Sequence, residues 1–267
     1  MASDSRIFTG NSTSAEPGPP GGGVFHLARL AWDGFLDMVY PPRCLVCEEH
    51  ARPILCAECA ALFVVPIPEP ICVLCGRPNE PDDTDCRHCR ENKPSDGWGF
   101  ETARATAIYE GPLRHAIHRL KYGRSEPLGD ALGAFLANRL VADELLVVPR
   151  PDAVVPVPIH ARRLAKRGFN QAAVLAVPVA ELLGVPFLPR AVVRSRKTPP
   201  QVGLSPQARR ANLSGAFAVP DPAAVAGKTL LLIDDVYTTG TTASACARAL
   251  KNAGALRVDV ATLAGGG

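Results

Sequence analysis

Eight of the nine cysteines occur as four C-x-x-C pairs within one block of the chain. Each pair can bring two thiolates to one metal ion from a tight turn, and two pairs complete the four-sulfur tetrahedron of structural zinc. The block therefore predicts two structural zinc ions, whereas a thioredoxin-like redox function explains one pair well but four badly. The predicted metal ligands are Cys44, Cys47, Cys56, Cys59, Cys72, Cys75, Cys86 and Cys89.

The simplest pairing joins the first C-x-x-C with the second and the third with the fourth, but the spacing also leaves an interleaved pairing open. His50 and His88 lie inside the block, and because sulfur ligands suffice we expect both at the surface. Cys246 stands apart and is expected to be a small helix residue. Each four-thiolate site carries two negative charges, so zinc binding would lower the formal net charge of the chain from +3 to −1.

A second group of chemically active residues lies at positions 230–242, LLLIDDVYTTGTT. Four aliphatic residues predict a buried strand, and Asp234 and Asp235 follow at its carboxyl end. A threonine-rich loop then leads into a helix, whose first amides are unpaired donors that favour a phosphate. The carboxylates would repel that phosphate but suit the hydroxyl groups of an attached sugar. The segment therefore predicts a ribose 5-phosphate site; the alternative is a polar turn that only caps the helix at Thr241.

Motifs and charge narrow the class of ligand further. The chain lacks the G-x-x-x-x-G-K-[ST] motif of nucleoside triphosphatases and the G-x-G-x-x-G motif of dinucleotide-binding folds. Residues 153–219 contain ten basic side chains and one acid, Glu181, so this segment carries +9 and the remainder −6. Such a concentration predicts an anionic ligand or nucleic acid; the alternative is a solvated basic face.

The elements around these residues must position them. After residue 95 the chain alternates strand and helix patterns, which predicts an α/β core with a mostly parallel sheet covered on both faces. Ligands of such sheets bind at the carboxyl ends of the strands, where Asp234 and Asp235 would lie. The predicted strands are 103–109, 154–157, 191–193, 229–234 and 257–263, and the predicted helices are 112–121, 127–141, 171–183 and 241–253.

The segment LLLIDDVYTTGTT resembles the phosphoribosyl pyrophosphate (PRPP) signature of type I phosphoribosyltransferases. The wider pattern is similar to the ComF family, which is associated with competence and DNA uptake. The similar segments are the cysteine pairs, LKYGRSEPLGDALG from Leu120, VPVPIHARRLAKRGFNQ from Val155 and RSRKTPPQVGLSPQARRANLSGAF from Arg194. This resemblance covers roughly residues 24–263. It implies a type I phosphoribosyltransferase-like core with a mostly parallel sheet, preceded by a small double zinc-ribbon module.

The resemblance also implies a role for each residue of the site. Asp234 and Asp235 would hold the ribose hydroxyls as the catalytic acidic pair. The 5-phosphate would be held by Thr238, Thr239, Gly240, Thr241 and Thr242. The pyrophosphate, with Mg²⁺, would lie near Arg162, Arg163 and Arg167, and a flexible lid would bring in Lys197 and Arg209.

The expected organisation is a disordered tail over 1–23, a helix over 24–43, a double zinc ribbon over 44–95 and a phosphoribosyltransferase-like domain over 96–267. No segment reaches the roughly 18 consecutive apolar residues of a membrane span. Residues 1–23 also lack the apolar stretch that export requires. We therefore expect a cytoplasmic protein that does not insert into membranes.

Two functions fit these observations. The first is a PRPP-binding phosphoribosyltransferase of the competence type, in which an unidentified acceptor attacks C1 of the ribose as pyrophosphate leaves. The second is a non-catalytic zinc-ribbon adaptor that binds single-stranded DNA or a helicase partner and carries a regulatory PRPP site. The aromatic content of 6% argues against an extended base-stacking platform.

Overall fold

The computed structural model describes residues 43–49, 54–63, 69–80, 86–94, 96–123, 125–142, 150–196, 213 and 215–266. The predicted tail and nearly all of the predicted helix over 24–43 lie outside these ranges, as do His50, Lys197 and Arg209. The chain from Arg43 onward belongs to one compact unit. Within the described ranges, every helix is too short or too polar to span a bilayer.

Helices and strands alternate along the core, as the sequence predicts. The helices are α1 (Ala57–Phe63), α2 (Arg87–Asn92), α3 (Gly111–Tyr122), α4 (Glu126–Ala142), α5 (Ala161–Arg167), α6 (Gln171–Leu183) and α7 (Thr241–Asn252). The strands are β1 (Ala103–Ala105), β2 (Ala153–Pro156), β3 (Val193–Arg194), β4 (Phe217–Ala218), β5 (Thr229–Tyr237) and β6 (Arg257–Gly265). The sequence does not predict α5, because this helix buries no residue and so has no apolar periodicity.

Four strands form one parallel sheet in the order β1-β6-β5-β2. Parallel neighbours need crossover connections, and the connecting helices cover both faces. The side chains of β5 alternate between these faces: Leu231 and Ile233 pack with α3, α4 and α6, whereas Leu230 and Leu232 pack with α7. The predicted parallel α/β core is confirmed.

The cysteines form two sites, which pack in the hydrophobic clusters on opposite faces of this sheet. The first cysteine site comprises Cys44, Cys47, Cys56 and Cys59, and the second comprises Cys72, Cys75, Cys86 and Cys89. The first lies in the cluster of α3, α4 and α6, where the ring of Phe63 meets that of Phe135 edge-on at 5.5 Å between centroids. The second lies in the cluster that contains α7.

A small antiparallel sheet of β3 and β4 lies beside α7. The guanidinium carbon of Arg194 in β3 is 5.7 Å from the ring centre of Phe217 in β4. This stacking holds Arg194 on a short sheet rather than on a free loop, and it directs a cation toward the carboxyl end of β5.

Candidate functional site

The sulfur atoms of both cysteine sites are spaced for a tetrahedral metal ion. The Sγ atoms of Cys47 and Cys56 are 3.9 Å apart in the first site, and those of Cys72 and Cys89 are 3.9 Å apart in the second. Zn–S bonds of about 2.3 Å place tetrahedral sulfurs about 3.8 Å apart. All eight cysteines are free thiols. The residues present therefore fit two structural zinc ions, and the pairing of the C-x-x-C motifs is sequential.

Backbone amides offset the charge of the thiolates. The N–H of Cys56 donates to Sγ of Cys44 at 3.5 Å, and the N–H of Cys89 donates to Sγ of Cys86 at 3.5 Å. Such N–H···S bonds stabilise the negative charge that four thiolates bring to a metal. Because four sulfurs leave no position open for a substrate, the zinc ions would be structural.

Two residues outside the cysteine sites were predicted with different success. Cys246 is fully buried on α7, which confirms its role as a small packing residue, and burial raises the pKa of its thiol well above the ordinary value. His88 belongs to neither cysteine site, as predicted. Its predicted position at the surface is wrong, because its ring is half-buried and lies 6.1 Å from that of Tyr237.

The phosphate loop, residues 238–242, turns the chain from β5 into α7. Gly240 is the N-cap residue of α7 and has φ 71°, where a side chain is strained. A Cβ atom there would lie 2.5 Å from the Tyr237 hydroxyl and 2.8 Å from the Trp98 ring. The N-cap residue Gly240 has no side chain that could cap α7, and the N-terminus of a helix is a favourable position for an anion. A shallow pocket is lined by Thr238, Thr239, Gly240, Thr241 and Thr242 together with Asp234.

The acidic pair at the end of β5 has two different environments. The carboxylate of Asp235 accepts an ion-pair contact from Lys121 Nζ at 3.0 Å. Asp234 accepts the N–H of Asp235 at 2.8 Å. Removal from bulk water, followed by the neighbouring charge of Asp235, raises the pKa of Asp234 to about 7. At neutral pH the pair therefore carries less than two negative charges.

A cavity of about 710 Å³ opens at the carboxyl edge of the sheet. Asp234 and Asp235 form one side of it, with the phosphate loop beside them. The cationic residues that line the cavity are Lys121, Arg163, Lys166, Arg167 and Arg194. Of the arginines predicted for pyrophosphate, the structure thus brings Arg163 and Arg167 to the cavity, while Arg162 is exposed on α5 and is not among the lining residues.

Sequence reasoning did not assign a role to several residues that line the cavity. They are Tyr109, Lys121, Tyr122, Lys166 and Arg194. Lys121 and Tyr122 lie in the quoted segment LKYGRSEPLGDALG, and Arg194 begins another quoted segment, so the resemblance was the signal that could have found them. Burial and the charge of Arg163 lower the pKa of Arg194, while the charge of Asp234 partly restores it.

Two family models match separate parts of the chain. A model described as a double zinc ribbon domain matches residues 35–90, and a model described as a phosphoribosyl transferase domain matches residues 150–267. The DNA utilization protein YhgH of Escherichia coli K12 is 34% identical over 191 residues, which cover 71% of this chain and 82% of that protein. The chain belongs to the ComF family.

Other ComF relatives align over more of the chain. Competence protein F of Haemophilus influenzae is 30% identical over 232 residues, covering 83% of this chain and 96% of its own. Competence protein ComFC of Bacillus subtilis is 27% identical over 238 residues, covering 88% and 92%. Among solved structures, the allosteric regulatory enzyme of purine biosynthesis aligns with 49% of this chain and 24% of its own, at 23% identity and a TM-score of 0.33.

Proposed function

We propose that this ComF protein binds PRPP and transfers its ribosyl 5-phosphate group to an acceptor in the context of DNA uptake. The observation that carries the proposal is that the acidic pair and Thr238 and Thr242 of the phosphate loop line one cavity, whose other charged lining residues are all cationic. A phosphate site, a diol site and a cationic site would match the 5-phosphate, the ribose hydroxyls and the pyrophosphate of PRPP.

Each part of the cavity would act on one part of the ligand. The amides at the start of α7 and the threonine hydroxyls would receive the 5-phosphate. Asp234 and Asp235 would accept hydrogen bonds from the ribose hydroxyls. Arg163, Lys166 and Arg167 would bind the pyrophosphate, and Mg²⁺, when bound with it, neutralises part of its charge.

The reaction would be a displacement at C1 of the ribose. The bond between C1 and the pyrophosphate oxygen breaks, its electron pair leaves with pyrophosphate, and positive charge develops on the sugar ring. The acceptor then donates a lone pair to C1 and loses a proton to water or to the departing pyrophosphate. The cationic residues would stabilise the departing charge, and the fixed ribose would present C1 to the acceptor, so no covalent enzyme intermediate is required.

Isothermal titration of the purified protein with PRPP and Mg²⁺ tests this proposal. We expect saturable binding, and we expect Asp235→Asn to weaken it about 10- to 100-fold, because a charged hydrogen-bond acceptor is lost. Zinc content should stay at two per chain. Asp130→Asn is the control, since Asp130 is exposed on α4 and does not line the cavity. Absence of PRPP binding by the unmodified protein would show that the proposed site is wrong.

A specific observation also favours single-stranded DNA as a second ligand. Tyr122 is 63% exposed, its ring lies 4.5 Å from that of His118, and the guanidinium of Arg167 is 5.5 Å from its centre. An exposed aromatic ring can stack on a base, and the exposed cations of α5 can contact phosphates. In this reading the protein is a zinc-ribbon adaptor for DNA or a helicase partner, and PRPP is a regulator.

The two functions respond differently to salt and to substitution. DNA affinity, measured by fluorescence anisotropy with an oligonucleotide, should fall steeply with ionic strength and should weaken in Tyr122→Ala. Release of pyrophosphate from PRPP with a candidate acceptor should disappear in Asp235→Asn. DNA binding that survives in Asp235→Asn, without any pyrophosphate release by the unmodified protein, favours the adaptor.

A further inference from the structure

The second cysteine site touches the phosphate loop through one side chain. Arg77 lies two residues after Cys75, and its Nη2 donates to the carbonyl oxygen of Thr238 at 2.9 Å. This is a direct hydrogen bond between the zinc ribbon and the first residue of the phosphate loop, across a sequence separation of 161 residues. The bond is therefore a property of the tertiary structure, which the C-x-x-C spacing cannot reveal.

The backbone of Arg77 is itself part of the metal-binding turn. The N–H of Cys72 donates to the carbonyl oxygen of Arg77 at 2.7 Å, and the N–H of Gly76 donates to that of Cys72 at 2.8 Å. The same turn is attached to β1, because the N–H of Ala103 donates to the carbonyl oxygen of Leu74 at 2.6 Å. A metal ion held by the second site would thus fix the position from which Arg77 reaches the loop.

Contact at the Thr238 carbonyl has a consequence for the next amide. A trans peptide is planar, so its C=O and N–H point in opposite directions. With the Thr238 oxygen directed toward Arg77, the N–H of Thr239 must point away from the zinc ribbon. The preceding carbonyl, of Tyr237, is held by the N–H of Gly266 at 3.1 Å. Two successive peptide planes at the start of the loop are therefore oriented by contacts from outside it.

Ring packing adds to this hydrogen bond. Tyr237 precedes the loop, lies 6.1 Å from His88 of the second ribbon and 6.3 Å from Phe100, and limits the space at Gly240. The first cysteine site lies in the hydrophobic cluster on the other face of the sheet, with α3, α4 and α6. Only the second of the two sites described here is therefore placed to affect the loop.

We propose that Arg77 is a positioning residue that couples the second zinc site to the phosphate loop, so that this zinc ion sets the loop conformation that binds the 5-phosphate. The inference rests on the proposed PRPP function for its ligand. The coupling itself is present without ligand, since every contact that carries it lies within the protein. Arg77 does not itself line the cavity or the pocket of the phosphate loop, and it acts on them through the Thr238 peptide.

Titration of PRPP with Mg²⁺ into Arg77→Ala, Arg77→Lys and Arg87→Ala tests the coupling. Arg87 is 86% exposed on the second ribbon and pairs with Glu91, so its loss removes the same charge from the same ribbon without touching the loop. We expect about tenfold weaker binding in Arg77→Ala, partial recovery in Arg77→Lys and unchanged binding in Arg87→Ala. Equal affinity in Arg77→Ala and the unmodified protein overturns the proposal.

Hydrogen–deuterium exchange gives a test that needs no ligand. Amides of residues 238–243 should exchange faster in Arg77→Ala than in the unmodified protein or Arg87→Ala, at a zinc content of two. The fluorescence of Trp98, isolated by Trp32→Phe, should change as well, because Trp98 packs against Gly240. If the unmodified protein binds no PRPP, the proposed function fails, yet faster exchange in Arg77→Ala still supports the coupling. Unchanged exchange and fluorescence refute it.

Gly266→Ala perturbs the position of the Arg77 guanidinium without removing it, so it tests the coupling even if Arg77→Ala has a folding defect. A Cβ atom on Gly266 would lie 2.9 Å from Nη2 of Arg77, so Gly266→Ala displaces the guanidinium and leaves the zinc ligands unaltered. We expect the same faster exchange at residues 238–243 with a smaller amplitude. Exchange that matches the unmodified protein in both Gly266→Ala and Arg77→Ala contradicts the coupling.

Discussion

The adjacent carboxylates of Asp234 and Asp235 differ in their electrostatic surroundings, because different groups lie beside each. Asp235 is neutralised by Lys121 from α3, whereas Asp234 lies deeper and gains its nearest support from a backbone N–H. The pKa of Asp234 rises to about 7, so near neutral pH about half of the molecules carry a proton on this carboxyl group. The cavity, which we propose binds an anionic ligand, is thereby less negative than two ionised carboxylates would make it.

Asp234→Asn tests this difference through stability. The folded protein holds a proton on Asp234 that the unfolded chain, with a pKa near 3.8, releases, so the free energy of unfolding should fall as pH rises from about 4 to about 7. The contribution is at most about 1.4 kcal/mol per pH unit. Denaturant unfolding at several pH values should show this loss in the unmodified protein and not in Asp234→Asn. Parallel curves for the two proteins would contradict the assigned pKa.

The sequence predicts which site residues lie close together when those residues are also close along the chain. The acidic pair and the threonines lie close together because they follow one another along one strand and one loop. The two cysteines of each C-x-x-C pair lie close together because they are three residues apart. Lys121 and Arg194 reach the same cavity only through the packing of α3 and of the small sheet, which depends on distant parts of the chain. Arg162 and Arg163 are adjacent, yet only Arg163 lines the cavity, since successive helical residues point in different directions.

Among the elements, the turn from β5 into α7 is the most constrained. Gly240 and Gly227 have nearly the same positive φ, 71° and 70°. They differ in surroundings, because a Cβ atom at Gly240 would overlap Tyr237 and Trp98, whereas one at Gly227 would meet nothing within 4 Å. Alanine substitutions at these two glycines therefore separate the effect of backbone strain from the effect of close packing.

We expect Gly240→Ala to be more destabilising than Gly227→Ala and to remove PRPP binding. Both substitutions incur about 1–2 kcal/mol of left-handed backbone strain, and Gly240→Ala adds about 1–3 kcal/mol of overpacking. Thermal or denaturant unfolding measures the difference, and titration with PRPP measures the binding. Similar losses of stability for the two variants would show that the loop has room to adjust.

Element boundaries show where periodicity stops being informative. The long elements follow their predicted ranges closely, and α6 begins and ends as predicted. Strand β1 ends at Ala105 rather than at 109, although Ile108 still pairs with Gly265 as an isolated parallel bridge. Strand β5 continues to Tyr237, three residues beyond the prediction, since pairing with β6 persists after the aliphatic run ends.

For the molecule as a whole, the two cysteine sites differ in access to solvent. Cys47 of the first site is exposed, whereas all four cysteines of the second are buried. A chelator should therefore reach the first zinc ion sooner. We expect two-phase zinc release, measured with a chromophoric zinc indicator, and a total of two ions per chain.

Cys47→Ser assigns the phases of that release. This variant should contain one zinc ion, and the ion should leave with the slower rate of the unmodified protein. Release of both ions in a single phase from the unmodified protein would contradict the difference in access. Elemental analysis that finds one zinc ion or none in the unmodified protein would exclude two structural sites.

The central position of β6 in the sheet has a consequence for how the protein folds. Residue Val260 pairs with Ala103, 157 positions earlier, so the sheet cannot close until these distant segments meet. The cysteines of the second site, by contrast, span 17 positions. Loop-closure entropy favours the shorter connection, so metal capture should come early and sheet formation late. The second cysteine site, which is attached to β1, would then be a folded surface on which the remaining strands assemble.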